Sequence, residues 1–189
     1  MNSTYNFDKK MYADIYHKLK TYQRDQIHQL NNFVEFLSKK KLFPSIFFSF
    51  SRINCEKYAS KILKKLVTHE EETEINKIFK KYINGIFKNY KDLGQTTKLL
   101  PLLQKGIGFH HSGLVPPLKE IQEVLFSKGL IKILFATETF SVGVNMPTRT
   151  VVFTEFTKFD GKRRPLNTSE YLQMAGRAGR RGKDKTGTV

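Results

Sequence analysis

The chain has 189 residues, and its 33 Lys and Arg against 17 Asp and Glu give a formal net charge of +16. This balance favours nucleic acid or another anionic surface as a partner, although a biased genome composition also enriches lysine. A single cysteine excludes an intramolecular disulfide, and the absence of an apolar run of ~18 residues or of a signal peptide predicts an intracellular chain without a membrane partner.

Residues 1–42 carry apolar side chains at helical spacing, which predicts one or two amphipathic helices. We expect them to form a helical N-terminal segment, or the remnant of a linker, ahead of a main domain over residues 43–189. The apolar positions are Met11, Ile15, Leu19, Tyr22, Ile27, Leu30, Val34 and Leu37.

The first half of the main domain predicts a strand, a helix and a helical insertion. The run Ser45–Phe50 is rich in residues that favour strands, and apolar residues from Cys55 to Leu66 follow at helical period. Three glutamates at 70–72 then precede an apolar stripe from Ile75 to Tyr90, which predicts one long helix. We therefore interpret residues 68–105 as an insertion.

The second half continues the alternation of strands and helices. Residues 106–113 predict a short strand that leaves into a loop, and Pro116 opens a helix that Gly129 closes. The apolar runs 131–136 and 150–153 predict parallel strands, and Asn167 with Glu170 predicts a capped start for the last helix. This order indicates an α/β fold, in which ligands bind at the carboxyl ends of the strands.

An arginine segment at residues 173–182 is the first candidate site. If it is helical, Gln173, Arg177, Arg180 and Arg181 share one face, and the small residues between them allow close backbone approach. Guanidinium groups bind phosphate through paired hydrogen bonds. We therefore predict a phosphate site, without specifying which phosphate it binds.

Together with the arginine segment, three further segments are predicted to lie at the carboxyl ends of the strands: Ser51 with Arg52, residues 110–113, and residues 137–145. Their hydroxyl, glycine and amide groups suit a sugar-phosphate chain or a nucleotide. A polar loop for the first segment, and a helix cap with a turn for the third, are the ordinary alternatives. The side chains of the adjacent residues His110 and His111 point in different directions, and the whole chain has a single cysteine. We therefore expect no metal site.

Taken together, these segments resemble the second RecA-like domain, or helicase C-terminal domain, of superfamily 2 DExH-box RNA helicases. The resemblance is strongest to the superkiller-type group that feeds RNA to the exosome, and it rests on residues 108–114, 134–140 and the arginine segment. It implies a RecA-like parallel sheet flanked by helices. Ala175 and residues 138–140 distinguish the chain from DNA-repair relatives, and Ala175 with residues 147–150 favours the cytoplasmic antiviral-type branch over the nuclear one.

The resemblance also implies roles for individual residues. Arg177 and Arg180 match the arginine fingers that reach the γ-phosphate of ATP, and Gln173 matches a residue that couples the nucleotide to the cleft between the domains. Gly143 and Asn145 match positions near the ribose. The residues that match RNA contacts, or flank them, are Ser51, Arg52, His111, Ser112, Gly113, Thr137 and Glu138.

The chain lacks two motifs of an intact helicase. It has no Asp-Glu-x-His segment, and Gly182-Lys183 does not form a phosphate loop because positions 177 and 184 are Arg and Asp. We therefore expect ATP with Mg²⁺ to be held mainly by a first RecA-like domain that this chain lacks. We expect the chain to be a fragment that is truncated at its C-terminus. The alternative is a stand-alone module that completes the site of another protein in trans.

We predict that the chain is the C-terminal motor domain of an ATP-dependent RNA helicase that acts in exosome-linked RNA decay or processing. We expect this domain to be inactive without its partner domain. The expected partners are single-stranded RNA, the first RecA-like domain, and the RNA exosome with its adaptor proteins. The alternatives are a non-catalytic basic RNA-binding module and a DNA-directed helicase domain of the same superfamily.

Overall fold

A four-stranded parallel sheet forms the centre of the computed structural model, which describes residues 25–86, 88–143, 146–180 and 182–189. The strand order is β2-β3-β1-β4, with every neighbouring pair parallel, so the predicted α/β fold is confirmed. The strands are β1 (Ser45–Phe48), β2 (Ile107–His110), β3 (Ile133–Ala136) and β4 (Thr150–Phe153).

Helices flank this sheet, and an antiparallel hairpin follows β4. The first helix, α1, covers residues 25–39, and the earlier apolar positions Met11, Ile15, Leu19 and Tyr22 lie outside the described residues. The other helices are α2 (Arg52–Lys61), α3 (His69–Lys81), α4 (Gly94–Leu103), α5 (Pro116–Ser127), α6 (Thr139–Gly143) and α7 (Thr168–Ala175), and the hairpin pairs β5 (Thr157–Asp160) with β6 (Lys162–Pro165).

The core lies on both faces of β1, β2 and β3, whose residues are all buried. The Phe47 ring packs against Phe135 on β3 at 5.0 Å between centroids, and against Phe33 on α1 at 6.1 Å. Val34 and Leu37 on α1 are each 1 % exposed. The helical period of 27–37 therefore identifies a helix that packs onto the same core.

The outer edge of β2 is closed by a side chain. Gln122 on α5 is fully buried, and its Oε1 accepts a hydrogen bond from the Phe109 backbone N–H at 2.9 Å. Among the residues that the structure describes, strand β2 pairs with β3 alone, so that N–H has no strand partner there. A buried N–H without an acceptor costs about 1–3 kcal/mol, so Gln122 stabilises the edge.

Helix α2 ends at Lys61, so the prediction that the helix continues to Leu66 is wrong. The side chain of Asn31 on α1 donates to the Lys61 carbonyl and accepts from the Leu63 N–H, both at 3.0 Å. These bonds hold the backbone in an extended conformation after the helix, and the Leu63 side chain is 78 % exposed. Competing hydrogen bonds from a neighbouring helix overrode the local apolar period.

The predicted long helix over residues 70–90 is interrupted. Helix α3 ends at Lys81, and a π-helical turn (Tyr82–Ile86) and a 3₁₀ turn (Lys88–Tyr90) lead to α4. Asn84-Gly85 falls at the interruption, and both residues have low helix propensity. The acidic start of α3 is confirmed as a capping box between Thr68 and Glu71. The limits 68–105 of the insertion remain a prediction.

The β5–β6 hairpin is an element that the sequence reasoning missed. Gly161 at its tip has φ +69°, a conformation that glycine adopts without strain, and Asp160-Gly161 is a recognised hairpin signal. Lys158 on β5 lies 3.3 Å from a Glu138 oxygen and 2.9 Å from a Glu170 oxygen. These ion pairs connect the hairpin to the residues before α6 and to α7.

The single cysteine lies in the core. Cys55 on α2 is fully buried, and its thiol is 3.7 Å from the Ser49 carbonyl oxygen, to which it donates. Burial, assisted by the nearby Glu138 and Glu56 carboxylates, raises the pKa of the Cys55 thiol to about 12. Within the described residues, no helix is long and apolar enough to cross a membrane.

Candidate nucleotide and nucleic-acid sites

The parallel strands bring the candidate RNA-binding residues to one edge of the sheet. Ser51 and Arg52 follow β1, residues 111–113 follow β2, and Thr137 with Glu138 follows β3. Because the carboxyl ends of parallel strands meet at the same edge, these three loops are neighbours, as the sequence predicts. We call this surface the carboxyl edge.

Two residues of the carboxyl edge are organised by the start of α2. The Ser51 hydroxyl accepts a hydrogen bond from the Asn54 N–H at 3.4 Å, so Ser51 is the N-cap of this helix. Arg52 begins the helix and is exposed, and a Cβ added to Gly113 would lie 3.3 Å from Arg52 Nη1. The guanidinium group therefore stands against the loop that follows β2.

His111 holds that loop in place. Its Nδ1 accepts a hydrogen bond from the Gly113 N–H at 3.1 Å, so the neutral ring carries its proton on Nε2, which donates to Glu56 at 3.2 Å. Burial lowers the pKa of His111, against the opposing effect of the Glu56 carboxylate. His111 is 2 % exposed, whereas Ser112 is exposed. The imidazole therefore shapes the loop, and Ser112 is the side chain it presents.

His110 is a packing residue beside this loop. Its Nε2 lies 2.9 Å from a Glu123 oxygen, and its ring contacts Phe140 edge-on at 4.9 Å between centroids. Burial lowers the pKa of His110, so the ring is neutral at physiological pH. Across the part of the chain that the structure describes, no three potential metal-ligating side chains cluster.

The loop after β3 places one hydroxyl inside and one carboxylate at the surface. Thr137 is 7 % exposed, and its Oγ1 lies 2.9 Å from Thr139 Oγ1 at the start of α6. The Glu138 side chain is 37 % exposed, and Lys158 forms an ion pair with it. The negative charge of Glu138 is therefore countered within the protein, which reduces its repulsion of a phosphate.

The arginines of the segment 173–182 do not share a helical face, so that prediction is wrong. Helix α7 ends at Ala175, and Ala178 pairs with Thr148 in an isolated β-bridge. Thr148 donates to the Arg177 carbonyl at 2.8 Å and accepts from the Gly179 N–H at 2.7 Å. Gly179 has φ +91°, which a helix excludes. Gln173 lies exposed on α7, whereas Arg177 and Arg180 follow the end of that helix.

The position of the arginine segment also differs from the expected one. Thr148 precedes β4, and its side chain donates to the carbonyl of Pro44, which precedes β1. The segment thus lies beside the amino ends of these strands, at the edge opposite to the carboxyl edge. We call this surface the amino edge. The placement of all four candidate segments at one edge was wrong.

Helix α6 contacts both surfaces. Its first residue, Thr139, contacts Thr137 at the carboxyl edge, and the Ser141 carbonyl accepts a hydrogen bond from Arg177 Nη2. Gly143 ends this helix. The predicted ribose contact Asn145, and Arg181 in the arginine segment, lie outside the described residues.

Arg180 is held by a carboxylate that the sequence reasoning did not single out. Its Nε and Nη2 donate to the two oxygens of Asp184 at 2.7 and 2.9 Å, and its backbone N–H donates to the same group at 3.1 Å. Hydrogen bonding to Arg180 lowers the pKa of Asp184 to about 2. Arg180 lines a cleft of about 400 Å³ with Lys183 and Met146.

The small residues of the arginine segment allow another segment of the chain to pack closely against it. A Cβ added to Gly187 would lie 2.5 Å from the Ala178 carbonyl carbon and 2.7 Å from the Gly179 nitrogen. Thr188 holds the other side by hydrogen bonds with Val151 and Arg149. The backbone that the small residues accommodate is therefore the chain itself at residues 186–187.

Residues 25–182 match the family described as the helicase conserved C-terminal domain. The chain belongs to this family. It is 50 % identical over 156 residues to the DExH-box ATP-dependent RNA helicase DExH9 of Arabidopsis thaliana, a match that covers 82 % of this chain and 16 % of the relative.

Two further relatives bear on the group within the family. The exosome RNA helicase MTR4 of Homo sapiens is 50 % identical over 158 residues, which is 82 % of this chain and 15 % of that protein. The antiviral helicase SKI2 of Saccharomyces cerevisiae is 48 % identical over 158 residues, with 82 % and 12 % coverage. This helicase C-terminal domain thus spans about one sixth or less of these relatives, and the choice between the two branches remains a prediction.

Proposed function

We propose that this domain is one half of an ATP-driven RNA motor, in which Arg177 and Arg180 complete the ATP site of a first RecA-like domain. The observation that carries the proposal is the separation of the two arginines, at the amino edge, from the polar loops of the carboxyl edge. One edge then serves the nucleotide, and the other serves RNA phosphates.

The side chains of the amino edge have the chemistry that a nucleoside triphosphate requires. Arg180 uses Nε and Nη2 on Asp184, so both N–H groups of Nη1 lie outside that pair. Guanidinium groups of this kind stabilise the charge that develops on a transferred phosphoryl group. ATP with Mg²⁺, held mainly by the partner domain, would supply the reacting phosphate. Gln173, Gly143 and Asn145 are proposed to complete the nucleotide contacts.

The carboxyl edge is proposed to bind single-stranded RNA through its phosphates. Arg52 supplies a cation, the N-terminus of α2 supplies a positive dipole, and the exposed Ser112 hydroxyl is a further donor, on a loop whose Gly113 N–H is held by His111. Contacts with phosphate rather than with bases make binding independent of sequence and sensitive to salt. The names of the relatives support RNA over DNA as the substrate, and exosome-linked decay with the exosome and its adaptors as partners.

The test uses a longer helicase that contains this domain, with variants at each edge. Arg180→Ala should lower RNA-stimulated ATP hydrolysis by ~10³-fold and leave RNA affinity within a factor of about two. Arg52→Ala should do the reverse: RNA affinity falls, while hydrolysis at saturating RNA is retained. Unchanged hydrolysis in the Arg180 variant would reject the finger assignment, and equal unwinding of RNA and DNA duplexes would reject the RNA preference.

A further inference from the structure

Asp184 forms four hydrogen bonds with Arg180. Its carboxylate accepts from the backbone N–H, Nε and Nη2 of Arg180, and its own backbone N–H donates to the Arg180 carbonyl at 3.0 Å. The Asp184 side chain is 4 % exposed, whereas that of Arg180 is 28 % exposed. The inner partner is therefore the carboxylate, and the guanidinium lies between it and the solvent.

The bonds to Asp184 fix the orientation of the Arg180 guanidinium but involve only its Nε and Nη2 atoms. A guanidinium group has five N–H donors, and the two bonds to Asp184 use the edge formed by Nε and Nη2. Because the backbone and the head of the side chain bind the same carboxylate, rotation about the intervening bonds is limited. The Nη1 end stays available to an oxyanion, next to the cleft that Arg180 lines.

A second cation adjoins the same carboxylate. Arg149 Nε lies 4.0 Å from Asp184 Oδ1, and Arg149 also accepts the Thr188 N–H on its carbonyl oxygen. Arg149 lies just before β4, in the segment that forms the amino edge. Asp184 thus approaches both the loop of Arg180 and the segment that leads into β4.

We propose that Asp184 is a positioning residue for Arg180, which fixes the guanidinium in the orientation required to stabilise charge on the transferred phosphoryl group. This inference rests on the proposed function of Arg180 as a finger. A group that orients a catalytic arginine changes the rate of the chemical step more than the binding of ATP, because misplacement matters most in the transition state.

The primary variant is Asp184→Asn in the longer helicase, since it conserves shape and removes the charge. We expect kcat for RNA-stimulated ATP hydrolysis to fall by ~10-fold or more, with KM for ATP within about twofold. Asp184→Glu keeps the charge and should recover part of kcat. Asp160→Asn is the matched control, because Asp160 pairs with Arg164 at 3.4 Å on the exposed hairpin and should leave kcat unchanged.

A double variant separates positioning from a purely structural role. In an Arg180→Lys background, Asp184→Asn should lower kcat by no more than about twofold, since the group that it orients is gone. A full loss in that background, or a kcat in Asp184→Asn that is unchanged or raised, overturns the inference. If Arg180→Ala itself leaves hydrolysis intact, the proposed function fails first, so the two failures are distinguishable.

Discussion

Gly187→Ala tests the claim that close backbone packing places the fingers. The added Cβ would lie 2.5 Å from the Ala178 carbonyl group, and ordinary contact begins at 3.4 Å, so the two segments must separate by about 0.9 Å. The three nearest atoms all belong to the backbone of Ala178 and Gly179, so none of them is the end of a flexible side chain that could give way. The hydrogen bonds from Thr148 to the arginine segment, or those from Thr188 to β4, must lengthen.

The expected loss has two parts. Overpacking of this kind costs ~1–3 kcal/mol of folding free energy, and the displaced segment carries Arg177 and Arg180 on either side of Ala178 and Gly179. A misplacement of ~1 Å at a catalytic group can reduce the rate by ~10²-fold. In the longer helicase, we expect kcat for RNA-stimulated hydrolysis to fall by ~10–10²-fold, with RNA affinity retained because the carboxyl edge is undisturbed.

The assay is steady-state hydrolysis at saturating RNA, with thermal unfolding measured on the same samples. Gly94→Ala is the control, since a Cβ at Gly94 meets nothing within 4 Å and the residue begins helix α4. A kcat in Gly187→Ala within twofold of the parent protein would refute the reasoning, whatever the melting temperature.

Two further predictions concern folding. Gln122→Leu should lower the free energy of unfolding by ~1–2 kcal/mol, because the buried Phe109 N–H loses its acceptor, and the exposed Gln29→Leu should not; denaturant titration measures both. Burial lowers the pKa of His110 and His111 below the ordinary 6.5, so protonation favours the unfolded chain. The free energy of unfolding should therefore be greatest above pH ~6.5 and should fall as the pH drops towards the pKa values of the two histidines in the folded state. A variant with both histidines changed to Gln should lose most of this pH dependence, which thermal unfolding at a series of pH values measures.

The core could be predicted from the sequence because burial on both faces leaves a direct pattern. Apolar runs located β1, β3 and β4 to within two residues, and glycines and prolines located the ends of α5. Where the prediction failed, a tertiary contact decided the outcome. Asn31 ends α2 before Leu66 through hydrogen bonds from a different helix, and no local pattern encodes such a partner.

The candidate sites divide in the same way. Residues of the carboxyl edge were predicted correctly as neighbours, because parallel strands impose that proximity. Helical spacing does not predict the arginine segment correctly, because the helix ends at Ala175 and the backbone around Ala178 instead pairs with Thr148. In the sequence alone, Asp184 stands out only as a residue that is incompatible with a phosphate loop. Its place four residues after Arg180, in a turn, was the available signal.

The buried cysteine has a practical consequence for measuring motion in this domain. Cys55 is the single cysteine of the sequence, and its core position and its thiol pKa of about 12 leave almost no reactive thiolate in the folded state. Cysteines introduced at exposed positions of the two edges, such as Ser112 and Lys183, would therefore take fluorescent labels selectively in the unmodified background. The same thiol, when it does react, reports unfolding.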